Sequence, residues 1–192
     1  MKNGRDAVKR VANLFLIAII IALMAVGVKF LINKYNTIAY PIKYSEIVEK
    51  YCGERGLDKN FVYAVIYCES GFDAEAKSYV DARGLMQITS DTFDWIKFKM
   101  KDEREITFED MYDPELNVEY GTFLLKFLFD EFEHPENVLC AYHAGRSAAK
   151  DWLENPEYSS SGKITAPPYK DTASYMNKVM SVADTYKRIY FE

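Results

Sequence analysis

An apolar run near the N-terminus limits what this chain can fold into. Residues 11–28 read VANLFLIAIIIALMAVGV, in which Asn13 is the only polar side chain, and three further apolar residues follow Lys29. A helix needs about 20 such residues to cross a hydrocarbon core of about 30 Å, whereas the apolar region of a signal peptide is about 7–15 residues long. We therefore expect an uncleaved transmembrane signal-anchor over residues 11–32. A cleaved signal peptide is the alternative, since residues 25–27 (Ala-Val-Gly) form a candidate cleavage site.

The charges before this run predict its orientation. Lys2, Arg5, Lys9 and Arg10 precede it, against a single acidic residue, Asp6. Basic residues are enriched on the cytoplasmic side of membrane helices, so the first ten residues are expected in the cytoplasm and the rest outside it. The sequence thus predicts a single-pass protein of the cell membrane with an extracytoplasmic domain.

The exported part is acidic. Residues 1–40 hold six of the 24 basic residues and one of the 29 acidic ones, which leaves residues 41–192 with 18 basic and 28 acidic side chains. Proteins that bind nucleic acid present basic surface to the phosphates. We therefore expect no nucleic-acid partner.

The cysteines and histidines do not form a recognisable metal or disulfide pattern. No C-x-x-C pair occurs, and the only such residues are Cys52, Cys68, Cys140, His134 and His143. Tetrahedral metal sites need clustered ligands at regular spacings, and an odd number of cysteines leaves at least one thiol free unless it pairs between chains. We expect no metal and no cofactor. The cysteines are interpreted as small core residues, with one disulfide as the alternative.

The part after the apolar run has a mostly α-helical pattern. Residues 33–43 are interpreted as a linker and residues 44–192 as one domain. Apolar residues recur at helical spacing, with caps and breaks between them. Helices are predicted over 45–52, ended by Gly53 and Gly56, and over 59–69, 90–98, a stretch from 114, 138–142, 147–153 and 172–190. Residues 155–170 are rich in Ser and Pro and are predicted to form a loop. No hairpin signal such as Asn-Gly is present.

Glu69 occupies a position that is unusual for a charged side chain. Val62, Val65 and Ile66 precede it by seven, four and three positions, so all four lie on one helix face. That face is apolar and should point into the domain. Burial raises the pKa of a carboxyl group, which is how a lysozyme-type general acid is produced. The alternative is a glutamate at a frayed helix end that turns into solvent.

Two later segments carry further candidates. Residues 78–88 read SYVDARGLMQI, in which Met86 offers a soft apolar wall and Gln87 can both donate and accept hydrogen bonds. Residues 141–145 place Tyr142 among small residues, where another group can approach closely. A packing role remains the alternative for Met86 and Tyr142, and a surface role for Gln87.

In their order along the chain, these segments resemble the soluble lytic transglycosylase family, whose catalytic domain has a goose-type lysozyme-like fold. The resemblance extends from Tyr44 to about Tyr186. The matching motifs are Glu69-Ser70-Gly71-Phe72 after a helix, Ser78 with Ala82 to Ile88, Asn117 with Tyr120-Gly121 and Leu124, Ala141 to Gly145, and Asp171-Thr172 with Tyr175 and Lys178-Val179. The expected fold is a single lysozyme-like α-helical domain preceded by one transmembrane helix.

The resemblance also implies roles for particular residues. Glu69 matches the catalytic acid/base of the family. The residues that match its glycan-binding groove are Ser78, Met86, Gln87, Tyr142, Tyr120, His143 and Asp171. Two of these depart from the usual motif, since His143 stands where the family usually has Asn and Asp171 where it more often has Glu. A neutral His143 is expected to replace the amide as a hydrogen-bonding group.

The activity that the resemblance implies is cleavage of the β-1,4 bond between N-acetylmuramic acid and N-acetylglucosamine, with formation of a 1,6-anhydro ring. A single carboxylate fits a substrate-assisted reaction, an exception among glycosidases. The expected partners are the glycan strands of peptidoglycan and the membrane. Two alternatives stay open. One is a muramidase in which Glu69 activates water, and the other is a catalytically silent glycan-binding or scaffold module.

Overall fold

The computed structural model describes residues 2–192, with side chains from Asn13 onward. The chain divides into two compact units, Met1–Pro41 and Ile42–Glu192. The first unit consists of one helix, α1 (Lys2–Ala39). Its segment Asn13–Ala39 is long and apolar enough to cross a membrane, and most of its residues are exposed.

Helix α1 is longer than the predicted transmembrane segment. It continues through Ala39, so most of the predicted linker, residues 33–43, is helical. The segment from Asn33 to Ala39 contains neither Gly nor Pro. Pro41 then ends the helix, because a proline disfavours the α conformation of the residue before it.

The second unit is a helical domain, as predicted. Its α-helices are α2 (Ser45–Arg55), α3 (Lys59–Glu69), α4 (Ser90–Met100), α5 (Pro114–Phe132), α6 (Pro135–Ala144), α7 (Arg146–Glu154) and α8 (Lys170–Tyr186). A 3₁₀ turn (Phe108–Tyr112) precedes α5, and a π turn (Lys187–Phe191) follows α8.

The helix boundaries follow local chemistry. Asp113 accepts a hydrogen bond from the backbone N–H of Leu116 at the start of α5, whereas Asp58 at the start of α3 makes no such side-chain bond. Gly56 ends α2 in the left-handed conformation, with φ of 64°. The prediction that Gly53 also stops this helix is wrong, since Gly53 lies within it.

Helix α3 is the centre of the domain. All six residues from Phe61 to Ile66 are buried, on every side of the helix, because α2 and α8 pack against it and Phe129 of α5 meets the ring of Phe61 edge-on. The C-terminal end of α3 consequently lies at the edge of the core, and Glu69 is its last residue.

The predicted loop over residues 155–170 contains a short hairpin. Strand β1 (Ser159–Ser160) pairs antiparallel with β2 (Lys163–Ile164). The connecting residues are Ser161 and Gly162, with φ of 52° and 76°. Two successive positive φ values are typical of the tight turns that match strand twist. The prediction of an irregular loop was wrong because Ser-Gly is a weaker signal for this turn than Asn-Gly.

Candidate active site

Glu69 is held at the C-terminal end of α3 by a sharp turn. Gly71 adopts a φ of 61°, which glycine tolerates at no steric cost, and Phe72 returns into the core, where it is 3% exposed. The Ser70 hydroxyl donates a hydrogen bond to the carbonyl of Leu85, with 2.9 Å between the oxygens. The end of α3 is therefore fixed against the following loop, and Glu69 is partly buried rather than frayed into solvent.

The environment of Glu69 favours its protonated form. Burial raises the pKa of its carboxyl group from 4.5 to about 7. Two groups act in the opposite direction and lower this pKa, a hydrogen bond from Tyr175 and the positive charge of Lys178. The Tyr175 hydroxyl donates to Oε1 of Glu69 at 2.6 Å. A carboxyl group with such a pKa can both give and take a proton near neutral pH.

Tyr142, which belongs to α6, lies beside the carboxyl group of Glu69. Its hydroxyl donates to the backbone carbonyl of Met86 at 2.6 Å. Burial, and after it the charge of Glu69, raise the pKa of Tyr142 well above its ordinary value, so the phenol stays neutral. Tyr142 thus connects α6 to the loop that follows α3, next to Glu69.

His143 extends this group of side chains toward α8. Its Nδ1 lies 3.0 Å from the hydroxyl of Thr172, which is buried, and its ring packs on that of Tyr175 with 4.6 Å between centroids. The structure therefore joins His143 to the tyrosine that binds Glu69. Asp171 is exposed at the start of α8 and accepts a hydrogen bond from the backbone N–H of Thr172.

The loop between α3 and α4 forms the other side of the site. Ser78 is partly buried, and its hydroxyl accepts a hydrogen bond from the backbone N–H of Ala82 at 3.0 Å. Gln87, also partly buried, donates from Nε2 to the carbonyls of Ala76 and Gly84. Both side chains thus stabilise the loop while retaining some exposed surface.

Asn117 on α5 fixes this loop from inside the domain. It is fully buried, and its Oδ1 accepts from the backbone N–H of Met86 at 2.7 Å. Its Nδ2 donates to the carbonyls of Arg83 and Met111, at 2.9 and 2.8 Å. The Met86 carbonyl that receives the Tyr142 hydroxyl is therefore held in place by a buried side chain.

Two of the residues predicted to line the groove do not reach its surface. Met86 and Tyr120 are both 0% exposed. Met86 lies against Gly121 of α5, and the Tyr120 hydroxyl donates to Asp102 at 2.9 Å. The prediction is wrong for these two side chains, because their apolar bulk is used for packing beneath the loop.

The comparisons with known proteins agree with this geometry. A family model described as the Transglycosylase SLT domain matches residues 46–164. The chain belongs to the SLT transglycosylase domain family. The prediction of family and of a single, mostly helical domain is thereby confirmed.

Several SLT-domain proteins are similar over most of this chain. The soluble lytic murein transglycosylase of Escherichia coli (strain K12) is 27% identical over 158 residues, which are 79% of this chain and 24% of the relative. The membrane-bound lytic murein transglycosylase C of Pectobacterium atrosepticum is 27% identical over 168 residues, 76% of this chain and 47% of the relative. The chain thus spans about a quarter to a half of the length of these relatives.

The fold is also that of a solved SLT structure. The structure of an inactive glutamate-to-glutamine mutant of the lytic transglycosylase Slt from Pseudomonas aeruginosa matches with a TM-score of 0.72 at 24% identity. The match covers 79% of this chain and 25% of that one. At this identity the likeness concerns the fold.

The partners of Glu69 are Tyr175 and Lys178 of α8, which follow the residues that the family model matches. No carboxylate is among the groups that shift the pKa of Glu69 in the described part of the chain. Among the side chains that the structure describes, from Asn13 to Glu192, three or more His, Cys, Asp or Glu side chains nowhere meet in a group that could hold a metal ion. The chemistry open to this arrangement is proton transfer by one carboxyl group.

The cysteines lie outside any disulfide. Cys52, Cys68 and Cys140 are free thiols, the first and last of them buried. Burial raises the pKa of Cys68, which precedes Glu69, to about 11, so this thiol stays protonated and unreactive near neutral pH. Their interpretation as small core residues is confirmed for Cys52 and Cys140.

Proposed function

We propose that this chain is a membrane-anchored lytic transglycosylase that cleaves the β-1,4 bond between N-acetylmuramic acid and N-acetylglucosamine in peptidoglycan. The observation that carries the proposal is the environment of Glu69 within an SLT domain. Burial raises the pKa of this carboxyl group to about 7, while Tyr175 fixes its position. The transglycosylase names of the relatives support the same assignment.

Glu69 acts first as an acid. With a pKa of about 7, a large fraction of the carboxyl groups is protonated at neutral pH. The proton passes to the oxygen of the glycosidic bond, which breaks and leaves N-acetylglucosamine with a new hydroxyl group. The acetamide oxygen of the muramic residue stabilises the positive charge that develops at the anomeric carbon, as in substrate-assisted glycosidases.

Glu69 then acts as a base. Its carboxylate takes the proton of the muramic 6-hydroxyl, and the oxygen closes the 1,6-anhydro ring at the anomeric carbon. The proton balance of the enzyme is restored, and no water is consumed. Tyr175 has a donor role in this step, since its hydroxyl stabilises the carboxylate form between the two proton transfers.

The remaining predicted residues are proposed to bind the glycan. Ser78, Gln87 and Tyr142 retain exposed surface, and each carries a group that can hydrogen-bond to a sugar hydroxyl or acetamide. His143 is exposed and oriented by Thr172, so its Nε2 is available to the substrate. Asp171 is proposed to contact the same strand from the start of α8.

Helix α1 is proposed to cross the membrane once, with residues 1–10 in the cytoplasm. The support is the apolar length of Asn13–Ala39 and the basic residues that precede it. Residues 40–44 form a short connection to α2. We therefore propose that the enzyme acts on the peptidoglycan that lies nearest to the membrane.

The test is the chemistry of the released products. The full chain in detergent micelles is incubated with purified peptidoglycan, and the soluble fragments are identified by mass spectrometry. Glu69→Gln is compared with Glu75→Gln, in which an exposed carboxylate of the same region is changed. General acid–base transfer contributes about 10²–10⁴-fold, so Glu69→Gln should lose most turnover and retain binding to the sacculi.

Three outcomes distinguish the alternatives. Products lighter by one water than hydrolytic ones, absent with Glu69→Gln, support the transglycosylase. Products with a reducing end would assign a muramidase that activates water. Binding to the sacculi without release of fragments would assign a silent glycan-binding module, and a Glu69→Gln variant as fast as the wild type would remove Glu69 from the mechanism.

A further inference from the structure

The imidazole of His143 contacts two side chains of α8. His143 lies in the last turn of α6, and Thr172 and Tyr175 lie three residues apart in α8, a spacing that places them on one helix face. Nδ1 of His143 is 3.0 Å from the Thr172 hydroxyl. The centroid of the imidazole is 4.6 Å from that of the Tyr175 ring, with 30° between the ring planes. Two independent contacts therefore determine the orientation of the imidazole.

The Thr172 hydroxyl determines which nitrogen of His143 carries the proton. Thr172 is 1% exposed, and among the described residues Nδ1 of His143 is the only acceptor within hydrogen-bonding distance of its hydroxyl. A buried hydroxyl group without an acceptor is unfavourable, so the hydroxyl donates to Nδ1. In the neutral imidazole the proton then lies on Nε2, because the hydrogen bond at one ring nitrogen sets the protonation of the other.

The Tyr175 ring is placed by this imidazole. In the part of the chain that the structure describes, His143 is the only residue whose ring packs on that of Tyr175. The Tyr175 hydroxyl donates to Oε1 of Glu69 at 2.6 Å. Hydrogen bonds weaken steeply when the donor moves out of line. A displacement of the Tyr175 ring would therefore weaken its bond to the acid/base.

The amide that the family usually has at this position offers one of these contacts and lacks the other. An asparagine side chain has polar atoms that can hydrogen-bond to Thr172, but it has no ring that can pack on Tyr175. The substitution of histidine for this amide thus adds an aromatic contact directly behind the residue that binds Glu69.

We propose that His143 is a positioning residue of this active site, in which Thr172 orients the imidazole and the imidazole holds the Tyr175 hydroxyl on Glu69. This role is additional to the glycan contact proposed for Nε2. Its effect on the reaction rests on the proposed function, because His143 acts through the acid/base. Its effect on the proton of Glu69 does not, and it can be measured without substrate.

The first test follows the titration of Glu69 by NMR. The full chain with ¹³C-labelled glutamate carboxyl groups is titrated in detergent micelles, and Glu69→Gln identifies the resonance. Loss of a whole charged hydrogen bond would raise the pKa of Glu69 by roughly 1–2, so His143→Asn, which loosens that bond, should raise it by about 0.5. His134→Asn is the matched control, since His134 is the other histidine of the chain and lies at the opposite end of α6. It should leave the titration unchanged.

The same titration in Tyr175→Phe shows whether His143 acts through Tyr175. Without the hydroxyl there is no bond to hold, so adding His143→Asn to Tyr175→Phe should leave the pKa of Glu69 unchanged. An equal rise in both backgrounds would mean that His143 acts on Glu69 by another route, and the proposal would be wrong. The other titratable groups that interact with Glu69 are kept in all of these variants: Lys178 of α8, Tyr142 of α6 and Cys68 of α3.

The second test concerns Thr172. In His134→Asn with ¹⁵N-labelled imidazole, His143 is the one histidine, and at about pH 8.5 a histidine is ordinarily neutral. Nδ1 should then show the resonance of an unprotonated nitrogen and Nε2 that of a protonated one. Thr172→Val, which removes the hydroxyl and keeps the shape, should give a mixture of tautomers and raise the pKa of Glu69. Thr172→Ser should restore both properties. A proton on Nδ1 when Thr172 is present would overturn the assignment.

The kinetic test separates positioning from glycan binding. The amide of His143→Asn still offers a donor to the glycan, so KM should change less than about twofold, while kcat should fall about threefold. A loss confined to KM would reduce His143 to a glycan contact. If the wild type releases no product while His143→Asn still alters the titration of Glu69, the proposed function fails and the positioning role stands. If the wild type is active and the titration is unaltered, the positioning role fails alone.

Discussion

The hydroxyl of Tyr175 on α8 lies 2.6 Å from Oε1 of Glu69 on α3 and donates a hydrogen bond to it. The two residues have opposite effects on one proton. Burial of Glu69 favours the neutral acid, and the hydrogen bond from Tyr175 favours the carboxylate, so the pKa is held at about 7. An acid that must become a base within one catalytic cycle benefits from this balance.

Removal of the Tyr175 hydroxyl should change the pH dependence of the reaction. Its hydrogen bond lowers the pKa of Glu69, so Tyr175→Phe should raise that pKa further. Because the reaction begins with protonated Glu69, the fall of kcat/KM on the basic side should move to higher pH. The loss of orientation and of carboxylate stabilisation should lower kcat by about tenfold at the optimum.

A profile of kcat/KM against pH checks this prediction. Tyr169→Phe is a suitable control, because Tyr169 lies just before α8, is 56% exposed and packs on Trp152 rather than on Glu69. A Tyr175→Phe profile that moves to lower pH, or that coincides with the control, would mean that the hydrogen bond does not stabilise the carboxylate.

Glu69 should also destabilise the folded protein at high pH. Its pKa is higher in the folded chain than in the unfolded one, so folding favours the protonated form. The stability associated with this group is present below about pH 4.5 and is lost as the pH rises through about 7. A difference from 4.5 to about 7 corresponds to about 3 kcal/mol as an upper value.

Glu69→Gln should therefore be more stable than the wild type above pH 7, and the difference should vanish toward acid pH. Chemical denaturation of the full chain in detergent, followed by near-ultraviolet circular dichroism at both pH values, measures it. The exposed substitution Glu75→Gln serves as the control and should leave stability unchanged. A difference between Glu69→Gln and wild type that does not depend on pH would contradict the burial argument.

The helices and the position of Glu69 were predicted well, because both depend on residues that are close together in the sequence. Apolar residues at helical spacing define α3, and Gly71 ends it with a positive φ, which puts Glu69 at the edge of the core. Its contact with Tyr175 was not predicted, since the hydrogen bond joins residues 106 positions apart. The signal that could have found it is the position of Tyr175 in the closing motif, one turn after Thr172.

The burial of individual side chains was predicted less well. Met86 and Tyr120 were interpreted as groove residues from their motifs, and both are fully buried. A motif indicates that a residue matters to a site, but whether it touches the ligand or supports the loop depends on the packing of α5. Asn117 is also a motif residue that supports the loop, because its polar side chain is fully buried and binds three backbone groups.

Asn117 should be essential for the stability of the loop. Asn117→Ala leaves the N–H of Met86 and the carbonyls of Arg83 and Met111 without their partner, inside the domain. Each unsatisfied buried group costs about 1–3 kcal/mol, so we expect a destabilisation of roughly 3 kcal/mol or more. Urea denaturation measures the change, with the exposed substitution Asn177→Ala as control. A change below 1 kcal/mol, about the effect of one ordinary hydrogen bond, would show that the loop does not depend on this side chain.

Gly121 and Met86 should behave as a coupled pair. A Cβ atom at position 121 would lie 2.8 Å from Cε and 2.9 Å from Cβ of Met86, and closer still to its sulfur. Overpacking of this kind costs about 1–3 kcal/mol, so Gly121→Ala should destabilise the domain even though alanine is the better helix former. Shortening the neighbour in Met86→Ala removes the contacts with the sulfur and Cε and leaves the one with Cβ, so most of the clash is relieved. The double variant should therefore lose less stability than the two single variants lose together, by about 1 kcal/mol in a double-mutant cycle.

The matched control for this pair is Gly53→Ala. Gly53 also lies inside a helix, but a Cβ atom there meets nothing within 4 Å. That substitution should stabilise the protein by up to about 1 kcal/mol, which is the difference in helix propensity alone. If Gly121→Ala stabilises the domain as Gly53→Ala does, or if the cycle shows no coupling, then Met86 is not packed against α5. The interpretation of its side chain as a packing group between the loop and α5 would then be wrong.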